Sequence, residues 1–381
     1  MARKKKRKKI RTDLRKKYDD PARQKGFTRR FNQQDTDEDQ NLVERVSGKG
    51  RLTRKRTVHG TEVESEEAGY QILLDVDTSN CIAGRVLRVH GLTTIVRDAD
   101  GNEYECSIRG LLKTLATELQ HVVVAGDHVQ IQPGTDNQAL IVRVEPRHST
   151  ISRTSRGRQQ ILVSNVHQVL IVCSAAEPRL KPNLVDRFLI SCEKARLKPV
   201  ICINKVDLVN PADLQPVAGV WGQLGYQVVL TSTIENRGID QLKELTAGKD
   251  SVVSGQSGVG KSSLLNAIEP ELGLRVSHVS GDSQKGRHTT TTSQLIPLSY
   301  GGHIVDTPGI RQFQLWDVIA EEVEGFFRDI RPVINFCKFP DCSHIHESDC
   351  AVKDAVADGK IDTRRYESYC LIYEENIQQR R

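Results

Sequence analysis

No stretch of this chain approaches the roughly 20 consecutive apolar residues that a membrane-spanning helix needs. The N-terminus is basic, and it lacks the apolar segment on which a secretion signal depends. Aromatic residues are scarce as well, at 5% of the chain, and residues 1–17 contain none. These absences argue against a membrane or secreted protein, and we expect a cytoplasmic one.

The net charge of +6 is unevenly distributed along the chain. Residues 1–56 contain 21 Lys and Arg against 8 Asp and Glu, a net of +13, so the rest of the chain carries −7. Such a tail repels itself and buries little, and we predict that residues 1–68 are disordered in isolation. The tail is either a solubilising extension or, as we favour, an arm that binds a polyanion such as RNA.

Three further blocks follow the tail. Residues 69–155 contain short alternating runs separated by turns, which predicts a β-barrel of about five antiparallel strands, an OB-fold or alternatively an SH3-like barrel. From 156 to 315 apolar strands alternate with helical segments, which predicts an α/β domain with a parallel sheet covered on both faces. Its first helix would begin with Asn183 as the N-cap. Residues 316–381 have a helical pattern around a group of Cys and His residues.

A glycine-rich segment between a strand-like and a helical stretch matches the phosphate-loop pattern G-x-x-x-x-G-K-[ST] in full. Its glycines would let backbone N–H groups turn toward phosphates, and the next helix would add its N-terminal dipole. Lys261 would bridge the β- and γ-phosphates, and Ser262 would ligate Mg²⁺. The residues of this segment predicted to bind nucleotide are Gly255, Gln256, Ser257, Gly258, Val259, Gly260, Lys261, Ser262 and Ser263.

An NKxD tetrapeptide follows the apolar strand VICI and consists of Asn204, Lys205, Val206 and Asp207. Guanine presents its N1–H and 2-amino donors side by side, and Asp207 can accept from both, whereas adenine would leave it unpaired. Asn204 would contact the other edge of the base, and Thr231-Ser232-Thr233, which ends the next strand, would complete the base pocket through main-chain contacts. Beside a phosphate loop, the tetrapeptide predicts GTP and GDP as ligands.

Two segments after the phosphate loop are typical of GTPase switches. A DTPG sequence would place Asp306 near Mg²⁺ through water and the Gly309 N–H near the γ-phosphate. In the threonine run before it, Thr290 or Thr291 would ligate Mg²⁺ in the GTP state. NKxD precedes the phosphate loop by 51 residues, the reverse of the usual order, which predicts a circularly permuted GTPase domain.

The residue after DTPG bears on hydrolysis. Many GTPases place a Gln there to orient the attacking water, but this chain has Ile310, which cannot hydrogen-bond through its side chain. Either intrinsic hydrolysis is slow or another group positions the water. His288 is the nearest candidate in the sequence, with a structural role as the alternative.

A metal site is predicted near the C-terminus from the spacing Cys337-x4-Cys342-x-His344-x5-Cys350. Three thiolates and one imidazole suit a closed tetrahedral Zn²⁺ site, one ion per chain, with no vacant position for catalysis. His346 competes with His344 as the fourth ligand.

Over roughly residues 70–381 the chain resembles the ribosome small-subunit-dependent GTPase A family (RsgA, also called YjeQ). The resemblance rests on the barrel-before-GTPase order, the motifs VDRFL, NKVD, GQSGVGKSSLLN, GRHTTT and DTPG, and the Cys/His spacing. It implies an OB-fold, a circularly permuted GTPase, a zinc domain and late maturation of the small ribosomal subunit, with GTPase activity stimulated by that subunit. The chain departs from the family in its long basic tail and in Thr233, where a small Ala is common.

We therefore expect a monomeric GTPase with Mg²⁺, whose partners are the small ribosomal subunit and its rRNA, with no membrane partner. Two other functions remain open at this point. One is an RNA-binding structural protein with a vestigial GTPase, against which the intact nucleotide motifs argue. The other is a GTP-driven metal chaperone in which the Cys/His cluster holds cargo.

Overall fold

The computed structural model describes only part of the 381 residues. The described residues are 8–13, 55–65, 69–74, 78–91, 93–109, 112, 122–155, 158–274, 293–306 and 318–379. The chain divides into two compact units, one of Met1–Glu62 with Ile72–Asp75 and the other of Val63–Gln71 with Val76–Arg381.

Strands account for most of the first half of the described chain. In chain order they are β1 (Lys8–Asp13), β2 (Lys55–Ser65), β3 (Gly69–Leu74), β4 (Ile82–His90), β5 (Thr93–Asp98), β6 (Glu103–Ile108), β7 (His128–Pro133), β8 (Gln138–Val144), β9 (Thr150–Ser155), β10 (Arg158–Ser164), β11 (Gln168–Ser174), β12 (Lys198–Asn204), β13 (Gln227–Leu230), β14 (Lys249–Ser254), β15 (Gln294–Pro297) and β16 (Gly302–Asp306).

The α-helices lie in the second half of the described chain. They are α1 (Pro182–Lys194), α2 (Gln215–Gln223), α3 (Ile239–Thr246), α4 (Lys261–Ile268), α5 (Ala320–Phe326), α6 (Ala351–Ala357) and α7 (Thr363–Gln379). Helix α1 begins with Pro182 at its first position, which suits the fixed φ of proline. Lys181 is therefore the N-cap, and the prediction that Asn183 caps this helix is wrong.

The first unit contains β1, which pairs antiparallel with β2 from Lys8 against Gly60 to Asp13 against Lys55. These strands lie within the segment for which the sequence predicts a disordered tail. The boundary of that tail at residue 68 stays a prediction.

Strands β4 to β8 form a closed barrel in the second unit. The order around it is β4-β5-β6-β8-β7, and β7 pairs again with β4, so the sheet has no free edge within this circuit. Apolar side chains from alternate positions fill the interior, among them Val86, Val96, Val129, Ile131 and Ile141. The predicted five-stranded barrel is confirmed and has the strand order of an OB-fold. One detail of the prediction was wrong: β6 and β8 are parallel, and the other pairs are antiparallel.

The α/β part has the sheet order β13-β12-β11-β14-β16-β15. All neighbouring pairs are parallel except β15 with β16. Successive residues of β11 pack in different cores: Val169 and Ile171 lie with Phe188 of α1, while Leu170 and Val172 lie with residues of α3 and α4. A strand that is buried on both faces needs apolar residues at every position, which explains its uninterrupted run.

The contacts that hold the parts of the second unit together include a hairpin and an ion pair. The β9–β10 hairpin spans the predicted boundary at residues 155 and 156, and its Ile151 and Val163 pack in the core beside α1. Arg85 of β4 forms an ion pair with Asp250 of β14 at 2.7 Å, and the Asp250 side chain is 3% exposed. The barrel is thereby tied to the strand that leads into the phosphate loop.

The segment after residue 318 builds a third core from α5, α6 and α7. Val323, Phe327, Val352 and Tyr369 are fully buried in it, and Ile190 of α1 contributes to the same core. The C-terminal helices are therefore packed directly on the α/β part. None of the helices in the described part of the chain has the length and apolar character that a bilayer crossing requires.

Candidate nucleotide site and metal cluster

The nucleotide motifs meet at the carboxyl edge of the parallel sheet. The phosphate-loop segment joins β14 to α4, the NKxD tetrapeptide ends β12, and Ser232 follows β13. Asp306 is the last residue of β16, two strands from β11 at the same edge. In open α/β sheets, ligands bind outside the carboxyl ends of the strands, so the topology alone assigns this edge to a ligand.

The glycines of the phosphate loop occupy positions where a side chain would not fit. Gly255 has a φ of +147°, and a Cβ there would lie 2.0 Å from the carbonyl oxygen of Val172. Gly260 has a φ of +90°, and its Cβ would lie 2.5 Å from the Asn204 side-chain nitrogen. The backbone of the loop therefore passes close to β11 and to the NKxD tetrapeptide, which only glycine permits.

The Lys261 ammonium is held by the loop itself. Its Nζ donates to the carbonyl oxygens of Gly255 at 2.7 Å and Gln256 at 2.6 Å. These acceptors keep the charged end of the side chain over the loop, where phosphate oxygens of a nucleotide would offer better acceptors. Ser262 and Ser263 follow in the first turn of α4 and are partly exposed.

The NKxD tetrapeptide is joined to the phosphate loop by side chains. Asn204 Nδ2 donates to the carbonyl oxygen of Val259 at 3.0 Å, and Lys205 Nζ donates to that of Gly258 at 2.9 Å. Lys205 also reaches the carbonyl oxygen of Glu177 at 2.6 Å, and its own backbone is left-handed, with a φ of +61°. The tetrapeptide and the phosphate loop, joined by residues 53 and 55 positions apart in the chain, thus form one site. The contribution of Glu177 was missed, because a backbone carbonyl leaves no mark in the sequence.

The loop after β13 supports the tetrapeptide from the other side. Ser232 Oγ donates to Asp207 Oδ1 at 2.5 Å, and Thr231 Oγ1 donates to Asn204 Oδ1 at 3.1 Å. Both residues are fully buried, and Val206 N–H donates to the Thr231 carbonyl oxygen. The sequence predicts only main-chain contacts for Ser232, whereas its hydroxyl orients the carboxylate that would select guanine.

The remaining predicted site residues divide into two groups. Ser257 and Val259 lie in the phosphate loop, where Val259 is buried and Ser257 exposed. The other predicted positions lie outside the described residues, namely His288, Thr290, Thr291, Gly309 and Ile310.

The four predicted metal ligands lie together. The Sγ atoms of Cys337, Cys342 and Cys350 and a ring nitrogen of His344 are all within 4.8 Å of one another. His344 Nδ1 is 3.4 Å from the Sγ atoms of Cys337 and Cys350. Among the described residues this is the group whose donor atoms converge in this way, and His346 does not belong to it. The group could hold one metal ion.

The second ring nitrogen of His344 is also satisfied. Nε2 lies 2.7 Å from Glu324 Oε2, which leaves Nδ1 directed at the sulfur atoms. Burial disfavours the charged imidazole, but the hydrogen bonds and negative charges of Glu324 and Cys350 together outweigh it, so the pKa of His344 is raised. A ligand histidine whose other nitrogen is fixed by a carboxylate is the usual arrangement around a protein-bound metal. The donor set therefore fits a metal with a preference for sulfur and imidazole.

Helix α7 holds the loop that carries the cluster. The hydroxyls of Tyr366 and Tyr369 donate to the carbonyl oxygens of His344 at 2.7 Å and Ser343 at 2.8 Å. Glu347 accepts from the Ser343 N–H and hydroxyl, both at 2.8 Å. The geometry of the cluster thus depends on side chains far along the chain as well as on the ligand spacing.

A phosphate loop, a guanine-selecting tetrapeptide that precedes it in the chain, and a shared parallel sheet define a circularly permuted P-loop GTPase. The RsgA GTPase family model matches residues 144–316. The small ribosomal subunit biogenesis GTPase RsgA of Sodalis glossinidius is 34% identical over 340 residues, which cover 87% of this chain and 96% of that protein. The protein of the same name from Thermotoga petrophila is 38% identical over 303 residues, which cover 78% of this chain and 98% of that protein.

Two solved structures are similar over nearly their whole length. The crystal structure of YjeQ from Thermotoga maritima has a TM-score of 0.66 at 34% identity and covers 78% of this chain and 99% of that one. The crystal structure of YloQ, a circularly permuted GTPase, has a TM-score of 0.63 at 30% identity. The match covers 80% of this chain and 97% of the YloQ chain. The chain belongs to the RsgA GTPase family.

Proposed function

We propose that this protein hydrolyses GTP to GDP and phosphate while bound to the small ribosomal subunit, and that it acts late in the maturation of that subunit. The contact that supports the GTP site most directly is the 3.0 Å hydrogen bond from Asn204 to Val259. It joins the predicted base-selecting and phosphate-binding segments although the chain has them in reverse order. The biological role follows from the relatives, whose name is small ribosomal subunit biogenesis GTPase.

Each nucleotide-site residue has a proposed role that follows from its position. Asp207, oriented by Ser232, accepts from the two guanine donors, and the backbone N–H groups of the phosphate loop surround the phosphates. Lys261 leaves its loop carbonyls for the β- and γ-phosphates. Ser262 and Asp306 would hold Mg²⁺, directly and through water, and the ion would neutralise charge that develops on the phosphate oxygens.

The switch residues are proposed from the sequence alone. Thr290 or Thr291 would complete the Mg²⁺ shell in the GTP state, and the Gly309 N–H would contact the γ-phosphate. Because Ile310 cannot orient water, we propose that His288 or a group of the rRNA does so once the subunit is bound. Free protein would then turn over slowly.

We propose that the Cys/His cluster holds one structural Zn²⁺ per chain. Cys342, His344 and Cys350 are at most 7% exposed and Cys337 is partly exposed, so an exchange partner would have access to one of the four ligands. Closed sites of three cysteines and one histidine are structural in proteins generally. This burial disfavours a metal chaperone, whose cargo site must open to a recipient.

We also propose a location, an oligomeric state and domain limits for this protein. The protein would be a cytoplasmic monomer, and the basic tail of residues 1–68 would bind rRNA phosphates. The barrel would extend over 69–155, the GTPase domain over 156–315 and the zinc domain over 316–381.

The test is the GTPase rate of the full chain with and without purified small ribosomal subunits. We expect stimulation by the subunit, and loss of hydrolysis in Lys261→Ala with the melting temperature kept. His288→Ala should bind GTP and the subunit normally but lose about tenfold or more of the stimulated rate. A single turnover of GTP that is undetectable in the presence of subunits would favour the RNA-binding structural protein with a vestigial GTPase.

A further inference from the structure

A second concave site lies at the edge of the sheet opposite the nucleotide motifs, where the parallel strands begin. It is a cleft of about 600 Å³ at the amino ends of β12 and β13, lined also by the end of α1 and by the segment that follows α5. The GTPase fold forms one wall of the cleft, and the part of the chain that carries the Cys/His cluster forms the other.

Cations dominate the lining of this cleft. Arg196 and Lys198 come from the GTPase fold, Arg328 and Arg331 come from the segment after α5, and Glu193 is the one acidic lining residue. The formal charge of the lining is therefore +3, whereas the chain beyond residue 56 carries a net −7. Positive charge concentrated within a cleft raises the local electrostatic potential well above that of the surrounding surface.

One of these cations has a structural role that fixes the geometry of the cleft. Arg328 Nε donates to Glu193 Oε1 at 2.7 Å, and its Nη1 donates to the Leu224 carbonyl oxygen at 3.0 Å. Its guanidinium lies over the Tyr226 ring, 4.2 Å from the ring centroid. The two hydrogen bonds use two of the five N–H donors of Arg328, and the ion pair neutralises Glu193.

Two other cations have no such role. Lys198 and Arg331 are exposed, and their side chains make no hydrogen bond or ion pair with any described residue. They stand on opposite walls of the cleft, one in β12 and one after α5. Neither is required to hold the two walls together, so their charges are available to a ligand.

The cleft suits phosphate groups and not a nucleobase. The aromatic ring among the described residues of its wall is Tyr226, which is 4% exposed and already covered by Arg328, so these residues offer no free ring face for stacking a base. Recognition of a mononucleotide depends on its base, whereas an RNA backbone is held through phosphates by Arg and Lys. We propose that this cleft is a docking site for the phosphate backbone of RNA, which would bridge the GTPase fold and the Cys/His part.

The inference rests on the proposed function only in naming small-subunit rRNA as the RNA concerned. A backbone held by both walls would make the packing between them part of ribosome binding. It would also place an RNA contact at the edge of the sheet opposite the GTP site.

The test compares the full-length wild type with Lys198→Ala/Arg331→Ala and with the control Lys243→Ala/Lys360→Ala, which removes the same charge outside the cleft. Melting temperatures verify that all three fold. Affinity for purified small subunits and for a short RNA duplex is measured as a function of salt. Each lost phosphate contact lowers the log–log slope by about 0.7–0.9, so the cleft variant should lose about 1.4–1.8 and the control nothing.

The outcomes separate this inference from the proposed function. If the wild type binds duplex RNA but not small subunits, and the cleft variant has the expected lower slope on duplex RNA, the proposed function is wrong and the inference about the cleft is supported. If the cleft variant and the control have equal slopes on both ligands, the inference is overturned and the proposed function is unaffected. Binding of inorganic tripolyphosphate that depends on Lys198 and Arg331, with unchanged RNA slopes, would overturn it in favour of a free polyphosphate.

Discussion

The guanidinium of Arg365 donates a hydrogen bond to the carboxylate of Asp186 at 2.6 Å, and neither side chain is more than 3% exposed. Asp186 belongs to α1 of the GTPase fold, and Arg365 belongs to α7 near the end of the chain. Trp221 Nε1 donates to the same carboxylate oxygen at 3.0 Å, and Asp329 pairs with the other side of the guanidinium. A buried charge network therefore connects the GTPase fold to the helices that support the Cys/His cluster.

Removing Arg365 should destabilise the protein strongly. Arg365→Met leaves two buried carboxylates without their counter-charge, which costs about 3–5 kcal/mol of unfolding free energy. The neighbouring Arg364→Met is the control, because Arg364 pairs with Asp362 at a side-chain exposure of 42% and should cost about 1 kcal/mol or less. Urea unfolding measures both. Equal losses in the two variants would contradict a special role for the buried pair.

Nucleotide choice should depend on Asp207. Asp207→Asn removes a charged acceptor for two guanine donors, so GTP affinity should fall by about 10- to 100-fold. Xanthine nucleotides present an acceptor at position 2, so the affinity of Asp207→Asn for XTP relative to GTP should exceed that of the wild type. The exposed Asp213→Asn, six residues further on, should leave both affinities unchanged. Titration calorimetry with GTP, XTP and ATP decides, and equal GTP and ATP affinity in the wild type would exclude a guanine-specific site.

The close approach of Gly260 to Asn204 gives a sharper test of how the loops are joined. Gly260→Ala and Gly248→Ala both force a non-glycine residue into a positive φ, +90° and +65°, at a cost of about 1–2 kcal/mol. Only at Gly260 does the new Cβ meet another residue, at 2.5 Å, whereas the Cβ at Gly248 meets nothing within 4 Å. Gly260→Ala should lose at least as much stability as Gly248→Ala, and only Gly260→Ala should lose GTP affinity.

Metal content should follow the ligand set. Metal analysis of freshly purified protein should find one Zn²⁺ per chain, and Cys342→Ser should lose it and unfold the C-terminal part before the GTPase fold. Cys370→Ser, in the same part of the chain but outside the cluster, should keep its zinc. Glu324→Gln should weaken zinc binding by about 10- to 100-fold through His344. A metal content near zero in the wild type would rule out the zinc site.

The Asp250 carboxylate should make stability depend on pH in acid. Burial alone would raise its pKa, but the hydrogen bonds and positive charges of His303 and Arg85 together outweigh it, so the pKa lies below 3.8. A lowered folded pKa contributes stability that is complete above pH 3.8 and is lost as the pH falls through the folded value.

Asp250→Asn should therefore cost about 3 kcal/mol at pH 7, as expected for breaking a buried ion pair. The difference from the wild type should shrink as the pH falls below 3.8. Asp240→Asn, at an exposed position, serves as the control, and its unfolding free energy should differ little from that of the wild type at neutral pH. Unfolding free energies in urea across this range are the measurement, and a constant difference down to pH 3 would contradict the linkage.

Local sequence patterns were sufficient to predict the strands and helices of this protein. They were not sufficient to predict where each element begins or how the strands pair. The apolar run VICI predicts a strand before NKxD, and the structure has β12 over Lys198–Asn204, because the centre of a strand buried on both faces must be apolar. The N-cap of α1 is Lys181, two residues before the predicted Asn183, since Pro182 can begin a helix as well as Asn183 can cap one. The parallel pairing of β6 with β8 could not be predicted, because strand composition carries no information about direction.

The sequence by itself determined the chemistry of this protein. The order of the phosphate loop and the NKxD tetrapeptide and the spacing of Cys337, Cys342, His344 and Cys350 are local patterns, each specified by residues close together in the chain. The tertiary structure decided which distant groups support them: Ser232 beside Asp207, Glu324 behind His344, and Arg365 against Asp186. Such partners can be found only from the fold, because a hydrogen bond depends on distance in space and leaves no fixed spacing along the chain.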